Sequence, residues 1–210
     1  MKNNDYIEQY KILHGKDAQY GASSLKFIEE IAVVIDHLCP RKVLDFGCGK
    51  GALLNGLIER YPGIVFYGYD PAVPGRDKLP GEKFDLVINT DVLEHIPEHI
   101  LPSVLEEIAS LSGNVYFNLH HALAKTILPN GENAHCTVKP SDWYHALMRN
   151  YFDYITPLKG RRDYLSVVLT FAAPEQVIKD YLRVLTVVSR RPVWKRVLRI
   201  LTLREWRHCK

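Results

Sequence analysis

VLDFGCGKGALL, residues 43–54, is an apolar run that breaks into a glycine-rich turn and continues with helical composition. Val43, Leu44 and Phe46 read as a buried strand. Gly47, Cys48 and Gly49 let the backbone turn sharply and approach a ligand with few Cβ atoms in the way, and Ala52 to Tyr61 reads as a helix. In an open α/β sheet such a junction lies beyond the carboxyl end of a strand, with helix N-terminal amides pointing into a cleft. Gly47, Gly49 and Ala52 also satisfy a loose G-x-G-x-x-A dinucleotide pattern, so a nucleotide-type ligand is expected here.

Working outward, Ile64 to Tyr69 (IVFYGY) forms a second strand ending at Asp70, 19 residues after Gly51. An acidic side chain at this strand end can accept both ribose hydroxyls of an adenosine. Phe84 to Asn89 (FDLVIN) is a third strand, followed by TDVLEHIP, Thr90 to Pro97. With these residues the chain resembles the class I S-adenosylmethionine-dependent methyltransferases. Their glycine loop reads D-x-G-x-G, here Asp45, Gly47 and Gly49, and their post-strand segment often reads D-V-L-E-H-I, here Asp91 to Ile96. The resemblance runs from about Arg41 to Phe171. It implies a Rossmann-like fold and S-adenosylmethionine as methyl donor, with Asp45, Gly47, Cys48, Gly49, Asp70 and Asp91 on the cofactor side. A nicotinamide-dependent oxidoreductase uses the same βαβ logic, but the D-x-G-x-G form, TDVLEHIP and the short chain argue against it. A non-catalytic module that keeps the cofactor fold is a third reading.

The remaining chain fits an α/β, Rossmann-like, mostly parallel sheet with an antiparallel edge hairpin and a helical C-terminal extension. Pro97 and Pro102 suit the opening of helical turns, and Val104 to Leu111 carries apolar residues at helical spacing. Asn114 to Leu119 is a further strand, with His120 and His121 just beyond it. Ser141 is placed to cap a helix reaching about Tyr151. Asp153 to Leu158 and Tyr164 to Phe171 have strand composition and flank a short polar segment containing Gly160, as a hairpin requires. Only Pro71 to Lys83 separates the second and third strands, so the strand and helix usual at that point in the family are very short or missing. The adenine pocket is then poorly defined, with Asp77 as a candidate lining residue.

At 210 residues, 47% hydrophobic and 24% charged, the chain has the balance of a globular domain with a substantial core. Cys39, Cys48, Cys136 and Cys209 form no C-x-x-C pair, so neither a disulfide framework nor a zinc site is indicated, and a cytoplasmic setting is expected. Charge divides the chain into a methyltransferase domain, residues 1–174, and a basic helical extension, 175–210. The extension carries ten Lys or Arg against three acids within an overall net charge of +3. Trp194, Val197, Leu198 and Leu201 form an apolar stripe amid Lys195, Arg196, Arg199 and Arg204, which suits an anionic membrane surface or a lipid-linked acceptor. A basic helix packed on its own domain or on a second subunit is the competing reading, and oligomeric state is left open. Nucleic acid is disfavoured as a partner, because residues 1–174 are net acidic and carry no recognised nucleic-acid-binding signature. The segment after the third strand reads NTDV, Asn89 to Val92, and lacks the proline-aromatic pattern of base amino-methyltransferases.

Before the glycine loop, Tyr6, Tyr10, His14 and Tyr20 lie in a segment that can close over the cofactor as an N-terminal helical lid, which adds Tyr20 to the cofactor side. Tyr6 and Tyr10, at i and i+4, equally suit a helix packed on the sheet. A sulfonium already activates the methyl group, so the protein must align the nucleophile, exclude water and take a proton from a hydroxyl acceptor. Histidine suits that task. His95, His120, His121 and His135 are the candidates, with His121 or His135 favoured as base; an amine or nucleic-acid acceptor is the alternative to a small-molecule, sugar or glycan hydroxyl. No metal site is indicated, since His120, His121 and Glu132 do not amount to a ligand set.

Overall fold

The computed structural model describes residues 5–17, 20–21 and 23–189. The expected membrane-facing stripe from Trp194 onward lies outside those residues.

The strand after Arg41 is β1, Lys42–Phe46; the glycine turn leads into helix α3, Ala52–Arg60, and strand β2, Val65–Tyr69, follows. Among the described residues two α-helices precede β1: α1, Asp5–Lys16, and α2, Ile28–Leu38. Strand β3, Leu86–Thr90, helix α4, Leu101–Leu111, strand β4, Val115–His120, and helix α5, Ser141–Met148, complete the parallel half. Strands β5, Thr156–Lys159, and β6, Leu165–Leu169, form the antiparallel hairpin, and α6, Glu175–Ser189, closes the described chain. The six strands run in the order β2-β1-β3-β4-β6-β5, with β2, β1, β3 and β4 parallel and the hairpin antiparallel.

Both faces of the sheet are covered, and the twofold alternation of a strand explains how. Val43, Leu86, Ile88 and Tyr116 point to one side, where Ile31, Ile35, Leu53, Leu57 and Tyr181 bring α2, α3 and α6 down on them. Leu44, Val87, Val115 and Phe117 point to the other, against Leu105, Ile108, Tyr144 and Met148 of α4 and α5. Strands buried on both faces read as continuous apolar runs, which is why they were legible in the sequence. A buried ion pair from Arg161 to Glu30 ties the hairpin turn to α2.

Between β2 and β3 there is no helix or strand, as the short Pro71 to Lys83 segment requires, and β2 is the sheet edge. Consecutive strands go to opposite sides of β1, so a crevice opens beyond the ends of β1 and β3. Register brings those ends level, with Phe46 beside Tyr69 and Thr90 beside Asn118. One local expectation is corrected. Ser141 is the first helical residue of α5 and makes no capping bond, because Pro140, with its extended backbone, occupies the cap position. No helix among the described residues is long and apolar enough to cross a membrane.

Candidate active site

A cavity of about 430 Å³ fills the crevice. Its floor is the glycine loop. Gly47 adopts φ +84°, and its N–H and that of Cys48 both donate to the carbonyl of Tyr69, at 2.7 and 3.0 Å, pinning the turn to the end of β2. A Cβ on Gly47 would collide with Val92 Cγ2 and lie only 3.0 Å from Cγ1. Glycine is therefore required twice over, for backbone conformation and for the close approach of the segment after β3.

Asp70 couples the loop to the cavity wall. Its Oδ2 accepts the Gly49 N–H at 2.9 Å, its Oδ1 accepts the Ala72 N–H at 2.9 Å, and the residue still lines the cavity. Each oxygen keeps a lone pair for a further donor. Asp45 lies beneath the loop, 1% exposed, with neither carboxylate oxygen hydrogen-bonded. Burial, aided by the charge of Asp70 and opposed by Arg76, pushes its pKa up to about 7. Cys48 is buried with Sγ 3.5 Å from Arg76, and burial raises its thiol to about 12, so it acts as packing for the loop. Asp77 is exposed and does not line the cavity, because the segment after Arg76 turns away from it.

The raised Asp45 has a measurable consequence. Between the ordinary aspartate pKa near 4 and its folded value near 7, the folded chain keeps this proton and the unfolded chain releases it, so stability falls as pH rises through that window. The contribution is fully present below the unfolded pKa and lost above about pH 7, on the order of 4 kcal/mol over the window. Asp45→Asn, which resembles the protonated acid in shape, is expected to flatten the slope of ligand-free stability against pH from 4 to 7 in denaturant titrations. Parallel curves for the two proteins would remove this account.

The segment after β3 supplies another wall of the cavity. Asp91 takes φ +61°, an uncommon conformation for a residue with a Cβ, and Leu93–His95 forms a short 3-10 turn. His95 Nδ1 lies 2.9 Å from the carbonyl of Ala134, which also accepts the Tyr10 hydroxyl at 2.5 Å. His135 Nδ1 lies 2.6 Å from the carbonyl of Ala122, and the His135 N–H donates to Asn133 Oδ1. With carbonyls on both Nδ1 atoms, the N–H sits there and Nε2 carries the lone pair. Burial, outweighing the charge of Asp91, lowers His95 to about 4 and keeps it neutral at pH 7. Glu94 is fully buried, and burial together with Asp91 raises its pKa well above the carboxylate range. The rings of His95 and His135 lie 4.7 Å apart and those of His120 and His135 4.6 Å apart.

The candidate residues thus divide. Gly47, Gly49, Asp70, Asp91, Tyr20, His95 and His135 line one cavity, while Asp45 and Cys48 support its floor from below. His120 stands behind His135 without lining the cavity. His121 is outside it, with Nδ1 against the Lys139 carbonyl at 2.8 Å and Nε2 against Ser166 Oγ at 2.7 Å. Both of its ring nitrogens are spent on structure. Helix α1 covers the cavity: Tyr6, Ile7 and Tyr10 pack against Ala72, Leu128 and Ala134 as a small separate apolar cluster, and Tyr20 stacks edge-on to His14 at 4.9 Å.

Sequence reasoning did not reveal that Asp91, His95 and His135 converge, with one ligand atom from each inside 4.8 Å of the others. D-x-x-E-H offered half the signal, since two acids and a histidine within five residues need only a tight turn to face one point. The other half, His135 from 40 residues later, had none.

Residues 22–155 match the family described as methyltransferase domain. Among curated proteins the chain is similar to trans-aconitate 2-methyltransferase of Rhodopseudomonas palustris (strain BisB5), 27% identical over 160 residues, covering 63% of this chain and 62% of that protein. It is also 28% identical over 107 residues to the protein of the same name from Acidovorax sp. (strain JS42), covering 49% and 40%. The chain thus spans less than two thirds of these relatives' length. Among solved structures, mitomycin 7-O-methyltransferase MmcR superposes with a TM-score of 0.54 at 14% identity, covering 70% of this chain and 53% of that one. Human N-acetylserotonin methyltransferase, solved in complex with SAM, superposes with a TM-score of 0.51 at 17% identity, covering 82% and 57%. At these identities the likeness is one of fold.

Proposed function

From the premise that this chain belongs to the class I S-adenosylmethionine-dependent methyltransferases, we propose that it methylates a hydroxyl oxygen on an uncharged small molecule. The residues present fit the cofactor. Gly47 and Gly49 line the cavity with backbone alone, Asp70 offers free lone pairs to a ribose, and the acidic lining suits a cationic ligand. Bound S-adenosylmethionine supplies an electrophilic methyl group on its sulfonium.

The chain's own residues have three tasks. Helix α1, through Tyr10 on the Ala134 carbonyl, acts as a lid that shuts water from the cavity. Tyr6, Tyr20 and Tyr69 give the acceptor apolar walls with polar tips. His135, its Nδ1–H held by Ala122, presents Nε2 to accept a hydrogen bond and then the proton from the acceptor hydroxyl. Proton loss leaves an oxygen nucleophile positioned for in-line attack.

One observation carries the acceptor assignment: the described residues lining the cavity include Asp17, Asp70, Asp91 and Glu107 and no Lys or Arg. With these residues alone, an acceptor bearing several carboxylates would meet like charge and no counterion there. The trans-aconitate activity in the relatives' names is for this reason not carried over. The test is methyl transfer from labelled S-adenosylmethionine to a panel of phenols and sugars beside trans-aconitate. Label is expected in base-stable ethers of the hydroxyl compounds; a methyl ester of trans-aconitate as the dominant product would overturn the assignment.

Cofactor affinity provides a separate check. Asp70→Asn keeps the side chain's size but replaces charge-assisted acceptors with neutral ones. It is expected to weaken S-adenosylmethionine binding by about 1.5 kcal/mol or more, roughly tenfold, in calorimetry. Unchanged affinity would take Asp70 off the ribose.

A further inference from the structure

We propose that Asp91, His95 and His135 bind one divalent cation of the Mn²⁺ or Zn²⁺ type at the acceptor end of the cavity. The cation's purpose rests on the methyl-transfer reading, but the site itself is argued from geometry alone. One ligand atom from each residue lies within 4.8 Å of the other two. Each histidine is anchored through Nδ1 to a backbone carbonyl, Ala134 for His95 and Ala122 for His135, leaving Nε2 to the cluster. This is the arrangement by which metal-binding imidazoles are oriented and made more basic. Beside Asp91 lies a second carboxylate, Glu94, which is 0% exposed and has neither oxygen hydrogen-bonded. Among the described residues no ion pair joins Lys or Arg to Asp91 or Glu94. Asp91 is thus left without an ion-paired Lys or Arg, and a cation held among the three ligands would supply that counter-charge.

The donor set selects the ion. Two imidazoles and a carboxylate suit borderline transition metals better than the all-oxygen shells favoured by Mg²⁺ or Ca²⁺. Ligands about 2.1 Å from a common ion stand roughly 3.0–3.5 Å apart, so closing on it needs side-chain rotation of about an ångström. Three protein ligands leave coordination positions open. A hydroxyl acceptor bound there would have its pKa lowered by the ion and lose its proton to water on entering, before the methyl transfer, and His135 would then act as a ligand in place of a proton acceptor.

The experiment uses the full chain, treated with chelator and dialysed. It is titrated with Mn²⁺, followed by loss of the free-ion paramagnetic resonance signal, and with Zn²⁺ by calorimetry. One equivalent is expected to bind and to raise the thermal midpoint. His135→Ala and Asp91→Asn are each expected to weaken binding by at least about tenfold, while His121→Ala, outside the cluster, leaves it unchanged. If His135→Ala does not fold, His135→Gln replaces it. Absence of saturable one-to-one binding by the folded chain overturns the proposal, as does equal affinity in the cluster variants. Binding lost equally in His121→Ala also counts against it. Methyl transfer by a chain that binds no ion would remove the cation and leave the enzyme reading standing; one-to-one binding without methyl transfer would do the reverse.

Discussion

Replacing His135 with alanine is expected to lower methyl-transfer turnover by roughly 10²–10⁴-fold while leaving S-adenosylmethionine affinity within about a factor of two. The separation follows from position. His135 lines the cavity but is held by Asn133 and Ala122 and clusters with His95 and Asp91, making no hydrogen bond to the glycine loop or Asp70, so its loss is expected to touch the acceptor and not the cofactor. The effect is expected whether His135 takes the proton itself or holds an ion that lowers the acceptor's pKa. His121→Ala, by contrast, loses bonds to Lys139 and Ser166 and is expected to alter stability with little change in turnover of the folded enzyme. Initial rates with labelled cofactor, set beside calorimetric affinities, distinguish the two. Wild-type turnover in His135→Ala would mean that the acceptor arrives already nucleophilic and needs no proton removed.

Gly47→Ala is expected to abolish measurable cofactor binding and to destabilise the fold by about 2–5 kcal/mol. The estimate combines the cost of a Cβ in the left-handed region with overpacking of a tight contact. At φ +84° the new methyl enters Val92, and neither partner can move freely, because Gly47 and Cys48 are both bonded to Tyr69 and Val92 precedes the turn that carries His95. Trimming the obstacle separates the two costs. In Gly47→Ala with Val92→Ala, the packing share is expected to return in denaturant titrations and the backbone share to remain. A single variant with wild-type stability and affinity would show that the loop tolerates a side chain.

The sheet was legible because its strands are buried on both sides. Val43 and Leu44, and Leu86 to Ile88, are short buried apolar runs followed by polar residues toward their strand ends, and residues of that kind have few other places to go. Gly47 and Asp70 were legible for a related reason, since each answers a local geometric demand that sequence spacing exposes. The histidines were not. His120 and His121 are neighbours, yet one closes β4 behind His135 and the other turns out to Lys139 and Ser166. A strand end decides that by one residue of register, which composition does not encode. His135 reaches His95 only because Asn133 and the Ala122 carbonyl shape the intervening connection. Tyr10 meets the Ala134 carbonyl across 124 residues of sequence. Contacts of that range come from tertiary packing, and no window of the chain displays them.

The left-handed turn at Asp91 sets selection for endurance against selection for activity. A carboxylate residue held at φ +61° beside the buried acid Glu94, with the buried acid Asp45 under the glycine loop, is poor scaffold. Each of the three could be exchanged for something the fold would hold more comfortably: glycine or asparagine at the turn, an amide or an apolar isostere below it. A search for variants that merely survive heat should therefore converge on these positions and return robust proteins that have forgotten their chemistry. Directed evolution of this chain toward new acceptors would begin better from stabilising changes on the exposed faces of α3 and α6, which leave the discomfort at the heart of the cavity in place.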